Sequence, residues 1–151
     1  MNARACVAIA IVHILVAAPV VAVEKYAYGC FLRSDFSQVC FNLEVADTTA
    51  TRSRGLMHRD YMPARQGMVF DFFEASKIGM WMKNTFIPLD MVFLDEQATV
   101  VHIHHHAVPQ SLEVIRSPSP VRYTVELNAG TAKRYGLETG QRLIIRPNDY
   151  Q

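Results

Sequence analysis

One stretch limits the fold of this chain more than any other: Met80-Trp81-Met82-Lys83-Asn84-Thr85-Phe86-Ile87-Pro88-Leu89-Asp90-Met91-Val92-Phe93-Leu94-Asp95. It holds the only tryptophan and sets two apolar runs on either side of a polar bend. Short apolar runs bounded by turn residues suit buried strands. The stretch therefore predicts one strand from Ile78 to Met82, a loop pinned by Pro88, and a second strand from Leu89 to Leu94. Lys83, Asn84 and Asp90 gather at the corner between them, where a ligand or a structural hydrogen-bond network could sit.

The rest of the chain repeats the short-strand pattern. Tyr26–Leu32 reads as a strand or extended arm. In Cys40–Ala46 the apolar side chains Phe41, Leu43 and Val45 share one face, as in a half-buried strand. Asp47 and Thr48 offer cap oxygens to a short helix, Thr49–Arg54, closed by Gly55. Met68–Phe73 predicts a strand interrupted by Asp71, and Thr99–His104 another. Val108–Ile115 is broken by Pro109 and suits an edge strand. Val121, Tyr123, Val125 and Leu127 alternate onto one face of a further strand. Asn128 is placed to cap a second short helix, Ala129–Tyr135, before a last strand, Gln141–Arg146. No long βαβ spacing is evident. The expectation is a mainly β (α+β) domain, a compact β-sandwich or open barrel of short strands with two short helices.

Length allows a single domain. Residues 1–22 stand apart from it. A basic start at Arg4, an apolar run from Cys6 to Val16 and small residues around Ala22 match a secretory signal peptide cleaved after Ala22. An uncleaved membrane anchor is the alternative, and it is the only membrane attachment expected. Residues 23–39 then form an N-terminal arm or strand, and residues 40–147 the main domain. Removing Arg4 with the leader turns 15 basic and 14 acidic residues into 14 of each. A neutral domain lacks the electrostatic footprint of a nucleic-acid binder. Cys30 and Cys40 remain, and an even count in an exported chain favours a disulfide, with two buried free thiols as the other arrangement.

Several motifs together resemble the DUF192 family (uncharacterised protein family 0127). They are Val45-Ala46-Asp47-Thr48, Arg52-Ser53-Arg54-Gly55-Leu56-Met57-His58-Arg59, Gly67-Met68-Val69-Phe70, the run from Trp81 to Met91, and Glu126-Leu127-Asn128-Ala129-Gly130 with Gly136 and Gly140. The resemblance covers roughly residues 40–146. It implies a small, mostly β domain, often behind a signal sequence, and no assigned reaction. Three departures from the family pattern stand out: Thr49-Ala50-Thr51 replaces Pro-Glu-Glu, Met80 replaces Phe, and Ala98 replaces a turn glycine.

The residues singled out for binding are Arg52, Arg54, Arg59, Trp81, Lys83, Asn84 and Asp90. Arginine forks suit a carboxylate or phosphate, and Trp81 supplies a flat apolar wall. The structural alternative has Asn84 and Asp90 bonding loop backbone, Lys83 solvated, and Arg54 paired with Asp90. Asp71, Asp90 and Glu126 are carboxylates that could converge, but sequence spacing gives no separation in space. No metal site is assigned. His102 and His104, about 6.6 Å apart on one strand face, are the pair that could chelate an ion. The methionines Met57, Met68, Met80, Met82 and Met91 read as core, with soft-metal binding, such as Cu(I), as the other arrangement. No nucleophile motif or phosphate loop occurs, and no cofactor is expected.

These features point to an exported, non-catalytic domain of the cell envelope that binds a small molecule or an envelope protein. The alternative is an enzyme on a carbohydrate or other envelope molecule, using Asp90 with Lys83 or Arg54. A third reading is periplasmic metal handling by His102 and His104. An open carboxyl with a raised pKa would favour catalysis.

Overall fold

The computed structural model describes residues 25–147. The signal peptide expected over residues 1–22 lies outside them. Nine strands and two helices follow one another as β1 (Tyr26–Leu32), β2 (Gln38–Ala46), α1 (Thr49–Arg54), β3 (Gln66–Ser76), β4 (Gly79–Met80), β5 (Leu89–Leu94), β6 (Val100–Ala107), β7 (Ile115–Arg116), β8 (Val121–Asn128), α2 (Thr131–Arg134) and β9 (Arg142–Pro147). Seven strands form a single sheet in the order β6-β5-β8-β3-β2-β1-β9, and β4 pairs with β7 as a separate ribbon.

The large sheet curls until its edges meet. Thr99 bridges Arg142, and the Leu143 N–H donates to the Ala98 carbonyl at 2.8 Å. Of the two architectures expected, the open barrel is the one formed. Ala98 adopts φ 58° in the turn before this closure, the left-handed region that a glycine would enter without strain. Asp95 Oδ1 steadies the turn by accepting from the N–H groups of Gln97 and Thr99.

The inward face carries Phe31, Phe41, Leu43, Val69, Val92, Val125, Leu127 and Leu143, sealed at one end by Ala132 and Leu137. Side chains alternate across a strand, so Met68, Phe70, Met91 and Phe93 point the other way. There they form a second apolar cluster with Leu56, Met62, Met82 and Ile87. The cover on that face comes from the segment after α1 and from the loop leading into β5. All six residues of β5 are buried because the sheet is covered on both sides.

Local structure follows the sequence closely in some places and departs from it in others. Thr48 caps α1, and Thr51 completes a reciprocal capping box with it. Cys30 and Cys40 face each other across β1 and β2 and are disulfide-bonded. Residues Tyr26–Leu32 lie between β2 and β9 as a full member of the sheet. The connection from β2 through α1 to β3 returns parallel, a crossover that the spacing did not announce. The strand expected over Ile78–Met82 shrinks to Gly79–Met80, and that over Val108–Ile115 to Ile115–Arg116. The loops between them bond to each other instead: the Met82 N–H donates to the Ser111 carbonyl, and the Gln110 N–H to the Thr85 carbonyl. The second helix is also shorter than expected. Asn128 does not cap it, because its side-chain amide donates to the Met62 carbonyl at 2.7 Å.

Candidate functional site

The structure disperses the seven candidate residues. Asp90 is fully buried. Its Oδ1 accepts from the His106 N–H at 3.1 Å and its Oδ2 from the Ala132 N–H at 2.9 Å. One carboxyl thus ties β5 to the end of β6 and to the first turn of α2. The imidazoles of His105 and His106 stand 3.9 and 4.0 Å from Oδ1. Neither Lys83 nor Arg54 pairs with Asp90, and an acid or base role for Asp90 with either does not fit. Both its oxygens are engaged by backbone, and no solvent reaches them.

Lys83 is exposed, with its Nζ 5.2 Å from the Trp81 ring centre. Asn84 takes φ 54°, and its carbonyl accepts from the His58 N–H. Arg59 makes a two-pronged ion pair with Glu44 on β2. These residues hold the corner together.

Arg52, Arg54 and Trp81 do converge on one cleft, of about 330 Å³, on the second apolar face. Thr49, Arg52, Ser53 and Arg54 of α1 form one wall. Met80, Trp81 and Thr85 form the other, while Leu56, Met57, Phe70 and Phe72 supply apolar lining. Arg52 is fixed: it donates to the carbonyls of Asp47 and Asp71, both at 2.9 Å, and its guanidinium lies against Phe72 and Phe73. Arg54 is exposed and has no partner among the described residues. Trp81 leaves 47% of its surface open.

Glu126 also lines this cleft, and it is unlike the other lining residues. It sits in β8 between β3 and β5, opposite Met68 on one side and Met91 on the other. Only 4% of it is exposed. Its carboxyl has no hydrogen bond and no ion pair among the described residues. Burial alone pushes its pKa up to about 8. Desolvation disfavours the charged form, and nothing nearby offsets it. At neutral pH the cleft therefore contains an uncharged carboxylic acid, able to donate one hydrogen bond and to accept others. Gly67 helps to press β3 onto this point, since a Cβ there would lie 2.5 Å from the Glu126 carbonyl oxygen.

Glu126 was one of three carboxylates that could converge, and the other two are occupied. Asp71 is bound by Arg122 through two contacts, at 3.1 and 3.2 Å. The alternation of β8 puts Glu126 opposite to Val125 and Leu127, which reads as a solvent face. A glutamate among apolar residues of a central strand was the available signal, but only the second cover buries it.

His102 and His104 stand two residues apart on β6. His102 stacks on Phe93 at 5.9 Å between ring centres and lies opposite it, while His104 lies opposite Met91. Burial, with His102 beside it, holds the His104 imidazole below its ordinary value. Among the described residues no group of three or more His, Cys, Asp or Glu side chains is placed to hold a metal.

Residues 32–145 match DUF192, described as an uncharacterised ACR. The chain belongs to the DUF192 family. No curated protein matches it. Two crystal structures share the fold. One, from Sinorhizobium meliloti 1021 and provisionally described as a transcription regulator, is 40% identical, with 81% of this chain and 95% of that chain covered and a TM-score of 0.79. The other, a protein of unknown function from Novosphingobium aromaticivorans DSM 12444, is 28% identical, with 85% and 91% covered and a TM-score of 0.78. The DUF192 family carries no assigned reaction.

Proposed function

We propose that this DUF192 domain is an exported, non-catalytic binding module of the cell envelope, and that it takes a small molecule in the Glu126 cleft. The observation that carries this reading is the unpaired, buried carboxyl of Glu126 lining an open cleft. The Glu126 carboxyl meets the cleft with no hydrogen bond from the protein among the described residues. A ligand group in the cleft can supply the partner that the protein does not. The cleft volume lies at the small end of the range typical of ligand sites. The Cys30–Cys40 disulfide supports an oxidising compartment. The regulator description of the S. meliloti protein is not extended to this chain, because a balance of 14 basic to 14 acidic residues after the leader offers no phosphate-binding surplus.

A thermal-shift screen of the full chain against metals, sugars and small anions tests the reading. The expected result is a rise in Tm with one ligand class that Trp81→Ala abolishes. A rise that survives both Trp81→Ala and Glu126→Gln places the ligand elsewhere and refutes the cleft.

The same carboxyl favours a second reading, an enzyme with Glu126 as general acid. A carboxyl with a raised pKa, open to a cavity, is what proton transfer to a leaving group requires. Turnover of a bound compound that Glu126→Gln abolishes while binding persists would select this reading over simple binding.

A further inference from the structure

Three charged or titratable groups line the Glu126 cleft, and they are asymmetrically disposed. Arg52 and Arg54 both stand on the α1 wall. Arg52 is already committed to two backbone carbonyls, whereas Arg54 projects its guanidinium with no partner. Glu126 lies in the sheet beneath. From β3 and β5 the residues opposite it are Met68 and Met91, and Met80, Trp81 and Thr85 come from the facing segment. None of these carries charge. His58 and Lys83 belong to the adjoining segments and are not among the lining residues.

Resting on the cleft reading above, we infer that its ligand is a small acidic ring compound of the sugar-acid class, its anionic group held by Arg54 and a hydroxyl or carbonyl oxygen held by Glu126. Two guanidinium groups on one wall repel a cation and leave one free fork for a carboxylate. Trp81, about half exposed and beside Met80, gives a flat apolar surface suited to a ring, with the Lys83 ammonium 5.2 Å from its ring centre. An uncharged carboxyl meets a neutral oxygen-rich body without ionic cost and satisfies itself by donating to it. The volume of about 330 Å³ admits one ring rather than a chain of them.

The arrangement makes binding depend on pH. A sugar carboxylate stays ionised from neutral pH upward. Glu126 must stay protonated, because its ionised form would set an uncompensated anion beneath an anionic ligand. With its pKa pushed up to about 8, the neutral form prevails at neutral pH and is lost above it.

Calorimetric titration of the full chain with galacturonate, galactose and galactosamine, which share one ring and differ in charge, tests this directly. Near neutral pH, galacturonate is expected to bind at least about tenfold tighter than galactose, the order of one charge-assisted hydrogen bond. Galactosamine is expected to bind more weakly still. From about pH 7 to about pH 9, galacturonate affinity is expected to fall about tenfold, a fall that Glu126→Gln flattens. Arg54→Ala is expected to erase the preference for the acid over the neutral sugar. Equal binding of the three sugars, or a fall with pH that persists in Glu126→Gln, overturns the inference and leaves the cleft reading standing. Absence of galacturonate binding also overturns it. Galacturonate binding that neither Trp81→Ala nor Arg54→Ala weakens overturns both readings, since the ligand then lies elsewhere.

Discussion

Asp90 and Glu126 are buried carboxyls on neighbouring strands of one sheet, and they are treated in opposite ways. Asp90 receives two backbone N–H groups, from His106 and Ala132. Glu126 receives none. The first is scaffolding: it ends β6 correctly and anchors a four-residue helix that has no side-chain cap of its own. The second meets the boundary of a cleft with no partner from the protein among the described residues. A buried charge or dipole with partners reports on folding, and one without partners reports on what the fold awaits.

The sharpest way to break this contrast is a stability profile against pH. The unfolded chain ionises Glu126 near 4.5, while the folded chain holds the proton to about 8. A raised folded pKa means stability fully present below pH 4.5 and lost as pH rises toward 8. The loss accumulates at about 1.4 kcal/mol per pH unit, on the order of 4–5 kcal/mol in all. Urea unfolding of the wild type at steps across this window should show the decline, and Glu126→Gln should lack it. Equal slopes in the two proteins would mean that Glu126 is solvated or paired.

Asp90→Ala should come next in size. It orphans two backbone N–H groups, one on β6 and one on α2, at a cost of about 3–4 kcal/mol. Hydrogen exchange should then speed up at Ala132 and His106 first. A loss below about 1 kcal/mol would show that the two contacts are not what holds α2 in place.

The disulfide supplies a control remote from both carboxyls. Replacing Cys30 and Cys40 by serine opens a short hairpin loop and should lower stability by about 2–3 kcal/mol. The slope of stability against pH should stay as in the wild type. The smallest stability change belongs to Arg54→Ala. An exposed side chain without a partner should shift unfolding by no more than about 0.5 kcal/mol. Any effect of this variant on ligand binding is therefore a binding effect and not a folding one.

Much of the fold was legible along the chain. The period-two alternation of β2 and of β8 from Tyr123 to Leu127, the Thr48 cap, the closing Gly55 and the apolar run of β5 all reflect interactions within a few residues, which sequence displays directly. Val121, expected on the same face, joins the other apolar cluster beyond an irregularity in the β3–β8 register. The family motifs marked the same elements. The site was less legible. The polar corner at Lys83, Asn84 and Asp90 stood out by contrast with its apolar flanks, yet contrast does not tell a satisfied group from an unsatisfied one. Arg52, Arg54 and Trp81 were visible as candidates, but their common cleft required α1 and the β4 segment to meet over the sheet.

What sequence by itself determined here is therefore the local grammar: strand faces, helix ends, two cysteines spaced to allow a disulfide, and membership of DUF192. Only the tertiary structure decided the status of the two carboxyls. Asp90 is satisfied by N–H groups 16 and 42 residues away, and Glu126 is buried by elements from the other half of the chain. Whether a buried polar group finds a partner is a property of three-dimensional neighbours, which no pattern of nearby residues encodes.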